Sequence, residues 1–131
     1  QKNGVGFYQY VKDKKGRPKK TPDEAVAGIM SYAGQNTEIS KEDIIQRCMV
    51  PMINETVRCL EEGIVATPAE ADMALLYGLG FPAFRGGIFR HLDVVGLDHF
   101  IEVADKWAHL GPMYQVTDGL RDMAKNKKTF Y

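Results

Sequence analysis

Residues 51–98 read PMINETVRCLEEGIVATPAEADMALLYGLGFPAFRGGIFRHLDVVGLD, and the spacing of their apolar side chains decides the fold. Ile53, Val57 (with Thr56 beside it) and Leu60 recur at three- and four-residue steps, which places them on one face of an α-helix. Followed backwards, the same stripe takes in Ile45 and Met49, so one long helix is predicted over 40–62, with Gly63 as its left-handed stop. Ser40-Lys41-Glu42-Asp43 provides the capping box at its start. Pro51 lies inside this pattern. Because the periodicity continues beyond it, Pro51 is expected to kink the helix or free a carbonyl rather than end it. A second helix opens at Thr67-Pro68-Ala69-Glu70, carries Ala71, Ala74, Leu75 and Tyr77, and is terminated by Gly78 and Gly80. Residues 81–87, FPAFRGG, read as a loop and 88–95 as a short helix broken by Gly96. A further helix is predicted over 98–110, closed by Gly111-Pro112, and Thr117 caps a last one through Ala124.

Ahead of this block the composition changes. Residues 1–10 are rich in glycine and aromatics and read as extended, while 11–20, VKDKKGRPKK, carry almost no apolar side chains. Gly16 and Pro18 break any helix there, so the stretch reads as a solvated basic linker. Thr21-Pro22-Asp23-Glu24 is a third capping box, with Thr21 expected at the cap and Pro22 at the first helical position. No run of strand period stands out after Tyr10. The expected fold is all-α: a helical domain over 21–131 behind an extended N-terminal linker over 1–20.

The chain of 131 residues is 44% hydrophobic and 26% charged, enough to bury one core in one domain. Its formal net charge of +0 gives no overall field toward a nucleic acid or an anionic membrane. No apolar run approaches the roughly 20 residues that span a bilayer. Gln1 is not a natural start and no leader precedes it, so the chain reads as cut from a larger, cytoplasmic protein. On one helix Cys48 and Cys59 would lie roughly 16 Å apart at about 1.5 Å per residue, too far for a disulfide. Without metal spacing around them, they read as small core hydrophobes in a reducing compartment.

Several motifs invite functional readings. Gly4-Val5-Gly6 lacks the third glycine of a dinucleotide fingerprint, since Gln9 stands there, and no cofactor-binding role is assigned to it. Arg85-Gly86-Gly87, just before a helix start, could form an anion site, but a turn that lets two helices cross closely is the favoured reading. His91 and Asp93 are two residues apart and cannot face each other on a helix, and His99 beside Asp98 is equally unsuited to acid–base work. His109 suits a helix C-terminus. No catalytic or metal-binding residue is therefore assigned. Lys12 to Lys20 could contact phosphates, although no aromatic platform is interleaved with them and a linker explains them better. Tyr77 ends a helix at the Gly78-Leu79-Gly80 hinge, where a phenol could reach a cleft while its ring packs; from chemistry alone it reads as a core aromatic.

The 51–98 stretch, together with QKNGVGFYQY at the start and AHLGPMYQVTDGLRDMAKNKKTFY at the end, resembles the C-terminal helical region of the 3-hydroxyacyl-CoA dehydrogenase family. The narrower resemblance is to the last domain of the multifunctional alpha subunits of bacterial fatty-acid oxidation complexes. It implies a parent with an enoyl-CoA hydratase/isomerase domain, an NAD-binding Rossmann domain and two tandem helical domains, of which this is the second. It further implies an acyl-CoA substrate and a thiolase subunit as heterotetramer partner. The family's catalytic His–Glu pair and NAD-contacting glycines would lie upstream. Where the family's active repeat has an Asn-Arg pair, Gln46-Arg47 stands here, and its G-x-P-M-G-P turn is replaced by Gly80-Phe81-Pro82-Ala83-Phe84-Arg85. Both departures imply a copy that has kept packing and lost the active-site role. The tyrosine before the GLGFP turn is associated with substrate binding, which implies that role for Tyr77.

The expectation is thus an inert domain that packs on the dehydrogenase part and helps wall its acyl-CoA site. Cut from its neighbour, it is expected to self-associate through the apolar face left open. One rival is a stand-alone helical module that binds nucleic acid or an acidic partner through the basic linker. The other is an independent enzyme using His91 or His99.

Overall fold

The computed structural model describes residues 7–29 and 38–131. Gly4-Val5-Gly6 lies outside the described residues. Two compact units divide the chain, 1–38 and 39–131, and each is described by itself.

In the first unit, strands β1 (Tyr8–Lys12) and β2 (Pro18–Pro22) form an antiparallel hairpin, with Tyr10 opposite Lys20 and Lys12 opposite Pro18. This corrects the expectation of a solvated linker over 11–20 with no strand after Tyr10. Asp13 closes the turn: its carboxylate accepts the Lys15 and Arg17 N–H groups, both at 2.8 Å, and Gly16 takes the left-handed φ of +73° that completes it. The signal was Asp-x-x-Gly; apolar content was a poor guide because both strands are largely exposed. Helix α1 (Glu24–Ile29) follows, and its cap is also corrected. Pro22 pairs with Tyr8 in the hairpin, so the helix starts later than the Thr21 box implies. Asp23, not Thr21, accepts the Ala25 N–H at 3.0 Å.

The second unit is helical throughout, as expected. Helix α2 (Lys41–Glu61) is capped by Ser40, whose hydroxyl accepts the Asp43 N–H at 3.0 Å, and Gly63 ends it at φ +73°. Helix α3 (Pro68–Gly78) carries the reciprocal box: Thr67 accepts from the Glu70 N–H, and the Glu70 carboxylate accepts from the Ala66 N–H. A 3₁₀ turn at Ala83–Arg85 leads to α4 (Ile88–Val95) and then α5 (Leu97–Trp107). Two more 3₁₀ turns precede α6 (Asp118–Lys125), capped by Thr117.

The core gathers Ile88, Phe89 and Leu92 of α4 with Val50, Ile53 and Val57 of α2, Phe100 and Ala104 of α5, and Leu120 of α6. The α2 stripe is buried only in part: Ile53 and Val57 are inside, Met49 and Leu60 are half-buried, and Ile45 stays 56% exposed because the first turns of the helix run past the core. Cys48 is exposed and Cys59 half-buried, so neither is the core hydrophobe expected. Pro51 leaves α2 as one continuous helix and frees the Arg47 carbonyl, which accepts the Tyr114 hydroxyl at 3.0 Å. The same polar side of α2 grips the segment before α6. Asn54 donates to the Met113 carbonyl at 3.1 Å, and Arg58 donates to those of Pro112 and Gln115 at 2.9 and 2.8 Å.

Candidate functional site

Tyr77 occupies the last turn of α3, where its side chain is 83% exposed rather than packed in the core. Leu79 and Phe84, on the connection that follows, are 69% and 85% exposed. Three large apolar side chains thus stand outward on one short stretch, while Phe81 between them turns inward. Gly80, at φ +69°, makes that reversal, and the Leu79 and Phe81 N–H groups both close back onto the Leu75 carbonyl at 3.1 Å. Leu79 also borders an apolar groove of about 350 Å³ between α2 and α3, lined by Met52, Cys59, Val65, Ala71 and Leu75 among others.

Asp72 holds this rim in place, and sequence reasoning missed it. Its carboxylate, 2% exposed, accepts the Phe89 N–H at 2.9 Å and the Arg90 N–H at 3.2 Å, capping α4 from a neighbouring helix. The Tyr131 hydroxyl donates to it at 2.9 Å. Gly87 is required here: at φ +113° it approaches Asp72 so closely that a Cβ would collide with the carboxylate. The signal in the sequence was twofold. No Ser, Thr, Asp or Asn stands at the cap before Ile88, and Asp72 shares a helical face with Leu75 and Leu76. The Arg85-Gly86-Gly87 turn is therefore the close helix crossing that was favoured, and the anion at the α4 N-terminus is the protein's own carboxylate.

The remaining sequence candidates are dispersed. Arg85 lies along the Phe84 ring, 5.4 Å from its centroid, and 3.4 Å from the His91 Nδ1. Burial, and then the Arg85 charge, push His91 below the ordinary imidazole range. His91 and His99 border a second cleft, of about 150 Å³, with Glu42 and Gln46 on its wall. Asp93 is engaged elsewhere, accepting the Phe130 N–H at 2.9 Å and the Tyr131 N–H at 3.0 Å. Gln46 is likewise committed within the fold: it accepts the Trp107 indole N–H at 3.0 Å and donates to Glu42 at 3.2 Å. His109 is exposed, with its Nδ1 3.1 Å from the Lys106 carbonyl. Among the described residues no three His, Cys, Asp or Glu side chains gather as a metal site, and no helix is long and apolar enough to cross a membrane.

Fold and rim together define a small helical domain that displays an apolar hinge at Tyr77–Leu79. The family model described as "3-hydroxyacyl-CoA dehydrogenase, C-terminal domain" matches residues 44–129, all within the helical unit, and the chain belongs to that family. Over its whole length it is 58% identical to the fatty acid oxidation complex subunit alpha of Idiomarina loihiensis and 54% identical to that of Colwellia psychrerythraea. The chain spans 18% of the length of each relative.

Proposed function

We propose that this chain is the second helical domain of a multifunctional beta-oxidation enzyme, parent to both an enoyl-CoA hydratase/isomerase and an NAD-dependent 3-hydroxyacyl-CoA dehydrogenase. In that reading residues 1–20 are the inter-repeat segment and basic linker, and the domain runs from 21 to 131 with its compact helical unit from Ile39 onward. The match along the whole chain to alpha subunits of fatty acid oxidation complexes is the observation that carries it. The domain packs on the upstream Rossmann and first helical domains and supplies part of the acyl-CoA wall, with Tyr77 as the substrate-contacting residue. The exposure of Tyr77 beside Leu79, Phe84 and the α2–α3 groove supports that role, because an apolar rim excludes water from a bound thioester's surroundings. The parent is cytoplasmic and assembles with a thiolase subunit.

Four of the five helix N-termini of this unit are taken by the protein's own side chains, while α5 starts at Gly96 without one. Those of α2, α3 and α6 are filled by Ser40, Thr67 and Thr117, and that of α4 by Asp72. In this reading the dinucleotide is bound by the Rossmann domain upstream, as the family resemblance implies. Gln46, tied to Trp107 and Glu42, does not have the freedom of a substrate ligand, which supports a packing role for this repeat.

The test is NADH oxidation with acetoacetyl-CoA by three preparations: this chain alone, the parent lacking it, and the two mixed. Activity only in the mixture is the expected result, and Tyr77→Phe is then assayed in it. Full activity of the truncated parent would sink the substrate-wall reading. The chain alone should sediment as a concentration-dependent dimer through its exposed apolar side chains, Ile39, Ile44 and Ile45 among them.

A second reading draws on the hairpin. Lys20 lies 3.7 Å from the centroid of the Tyr8 ring, so the structure does interleave an aromatic with the basic residues. An acidic partner or nucleic acid would then bind 8–22, and binding that does not weaken with salt rejects this alternative.

A further inference from the structure

The connection between α3 and α4, residues 79–87, displays Leu79 and Phe84 to solvent and buries little besides Phe81. Connections with so few buried contacts are free to move unless they are fixed at their ends. At its near end this one is closed by the two N–H bonds to the Leu75 carbonyl. At its far end the Phe89 and Arg90 N–H groups bind Asp72, which stands on α3 one turn and a half before Tyr77. A single carboxylate therefore closes the connection back onto the helix that carries Tyr77.

That carboxylate needs its own orientation, and the last two residues of the chain supply it. Asp93, on α4, accepts the backbone N–H groups of Phe130 and Tyr131, and the Phe130 ring meets Phe89 at 4.4 Å. The Arg90 guanidinium lies 3.7 Å from the centroid of the Tyr131 ring. Held at its backbone and over Arg90, Tyr131 donates its hydroxyl to Asp72 Oδ2, the oxygen that also accepts the longer Arg90 N–H bond. Without the phenol that oxygen keeps only the 3.2 Å bond, and the carboxylate can rotate away from the α4 N-terminus.

We propose that Tyr131 is a positioning residue for Tyr77: its hydrogen bond to Asp72 locks the α3–α4 connection and so sets the direction in which the Tyr77–Leu79–Phe84 rim meets acyl-CoA. The inference rests on the reading of Tyr77 as a substrate contact. It assigns no chemistry to Tyr131, which acts through Asp72.

The experiment is a double-mutant cycle in the full-length parent enzyme, following NADH oxidation with acetoacetyl-CoA for Tyr131→Phe, Tyr77→Ala and the pair. Tyr131→Phe keeps the ring over Arg90 and removes only the hydroxyl. It should raise KM by about fivefold to tenfold, the scale of one net hydrogen bond, with kcat unchanged. In the Tyr77→Ala background the same substitution should change KM no further. Amide exchange over 79–87 should also quicken in Tyr131→Phe, which reports the loosened connection independently of activity. An unchanged KM in Tyr131→Phe, or the same fold-change with and without Tyr77, overturns the proposal even if melting shifts. If Tyr77→Ala alone leaves KM untouched, the reading of Tyr77 fails first and takes the positioning role with it.

Discussion

Two connections in the helical unit are held by side chains of a packed helix, and they are held in opposite ways. The α3–α4 connection depends on one buried carboxylate, Asp72, that serves three donors at once. The segment between α5 and α6 is held by α2 through several separate bonds, from Asn54, from Arg58 and from Tyr114 to the carbonyl that Pro51 frees. A buried anion that loses its place leaves backbone N–H groups unpaired, so its failure is abrupt. Bonds divided among several side chains, the buried Asn54 as well as the half-buried Arg58 and Tyr114, are lost one at a time, so their failure is gradual. The abrupt clamp stands behind the exposed Tyr77–Leu79–Phe84 rim. The gradual one stands behind a segment that also exposes Leu110 and Met113.

The largest effect should come from Asp72→Ala. It removes an α4 cap and strands the Phe89 N–H in a buried site, at a cost of about 3 kcal/mol or more. Thermal and denaturant melts of the 131-residue chain measure it, and a loss below about 1 kcal/mol would erase the contrast between the two connections. An intermediate effect is expected at Tyr114. Tyr114→Phe should cost about 1 kcal/mol by leaving the Arg47 carbonyl without its donor. Pro51→Ala should remove most of that cost, because the alanine would return a backbone N–H to the same carbonyl. Additive melts for the two substitutions would show that Tyr114 acts through something other than this bond.

The smallest effect should come from the pair that joins α5 to α6 at the surface. Arg121 reaches Asp105 through both guanidinium nitrogens, but the side chains remain 42% and 46% exposed, so Arg121→Ala should cost less than about 1 kcal/mol. The hydrogen bonds from Arg121, and then its charge, hold Asp105 below the ordinary carboxylate range. A depressed folded-state value means stability that is present above the ordinary Asp value of 3.8 and lost as pH falls through the folded value. In Arg121→Ala that acid-side loss should shrink, and NMR titration should show Asp105 moving back up. An unmoved Asp105 would refute the pairing as the cause of its shift.

How much of this could be read in advance differs between backbone and side chains. Helix existence and order were legible from apolar spacing and from local caps at Ser40, Thr67 and Thr117, whose oxygens bind N–H groups only three residues on. The Thr21 box misled because the same local signal competed with a hairpin that claimed Thr21 and Pro22 for β2. That hairpin was itself written in Asp13 and Gly16, a turn signal that outweighs the lack of apolar residues. The rim at Tyr77 was legible as a position but not as an exposed one, since chemistry alone read its ring as a core aromatic. Asp72 read as one more surface carboxylate, because its partners lie 17 and more residues away in sequence.

The sequence by itself determined the helical unit, the freed carbonyl at Pro51 and the family, because period, caps and the long match to relatives are properties of neighbouring residues or of the whole string. Only the tertiary structure decided which donor takes that carbonyl, which carboxylate caps α4, and which apolar side chains stay outside. The first two depend on what a segment distant in sequence brings within about 3 Å, the reach of a hydrogen bond, and the third on which elements pack over a face; distance along the chain says nothing about either.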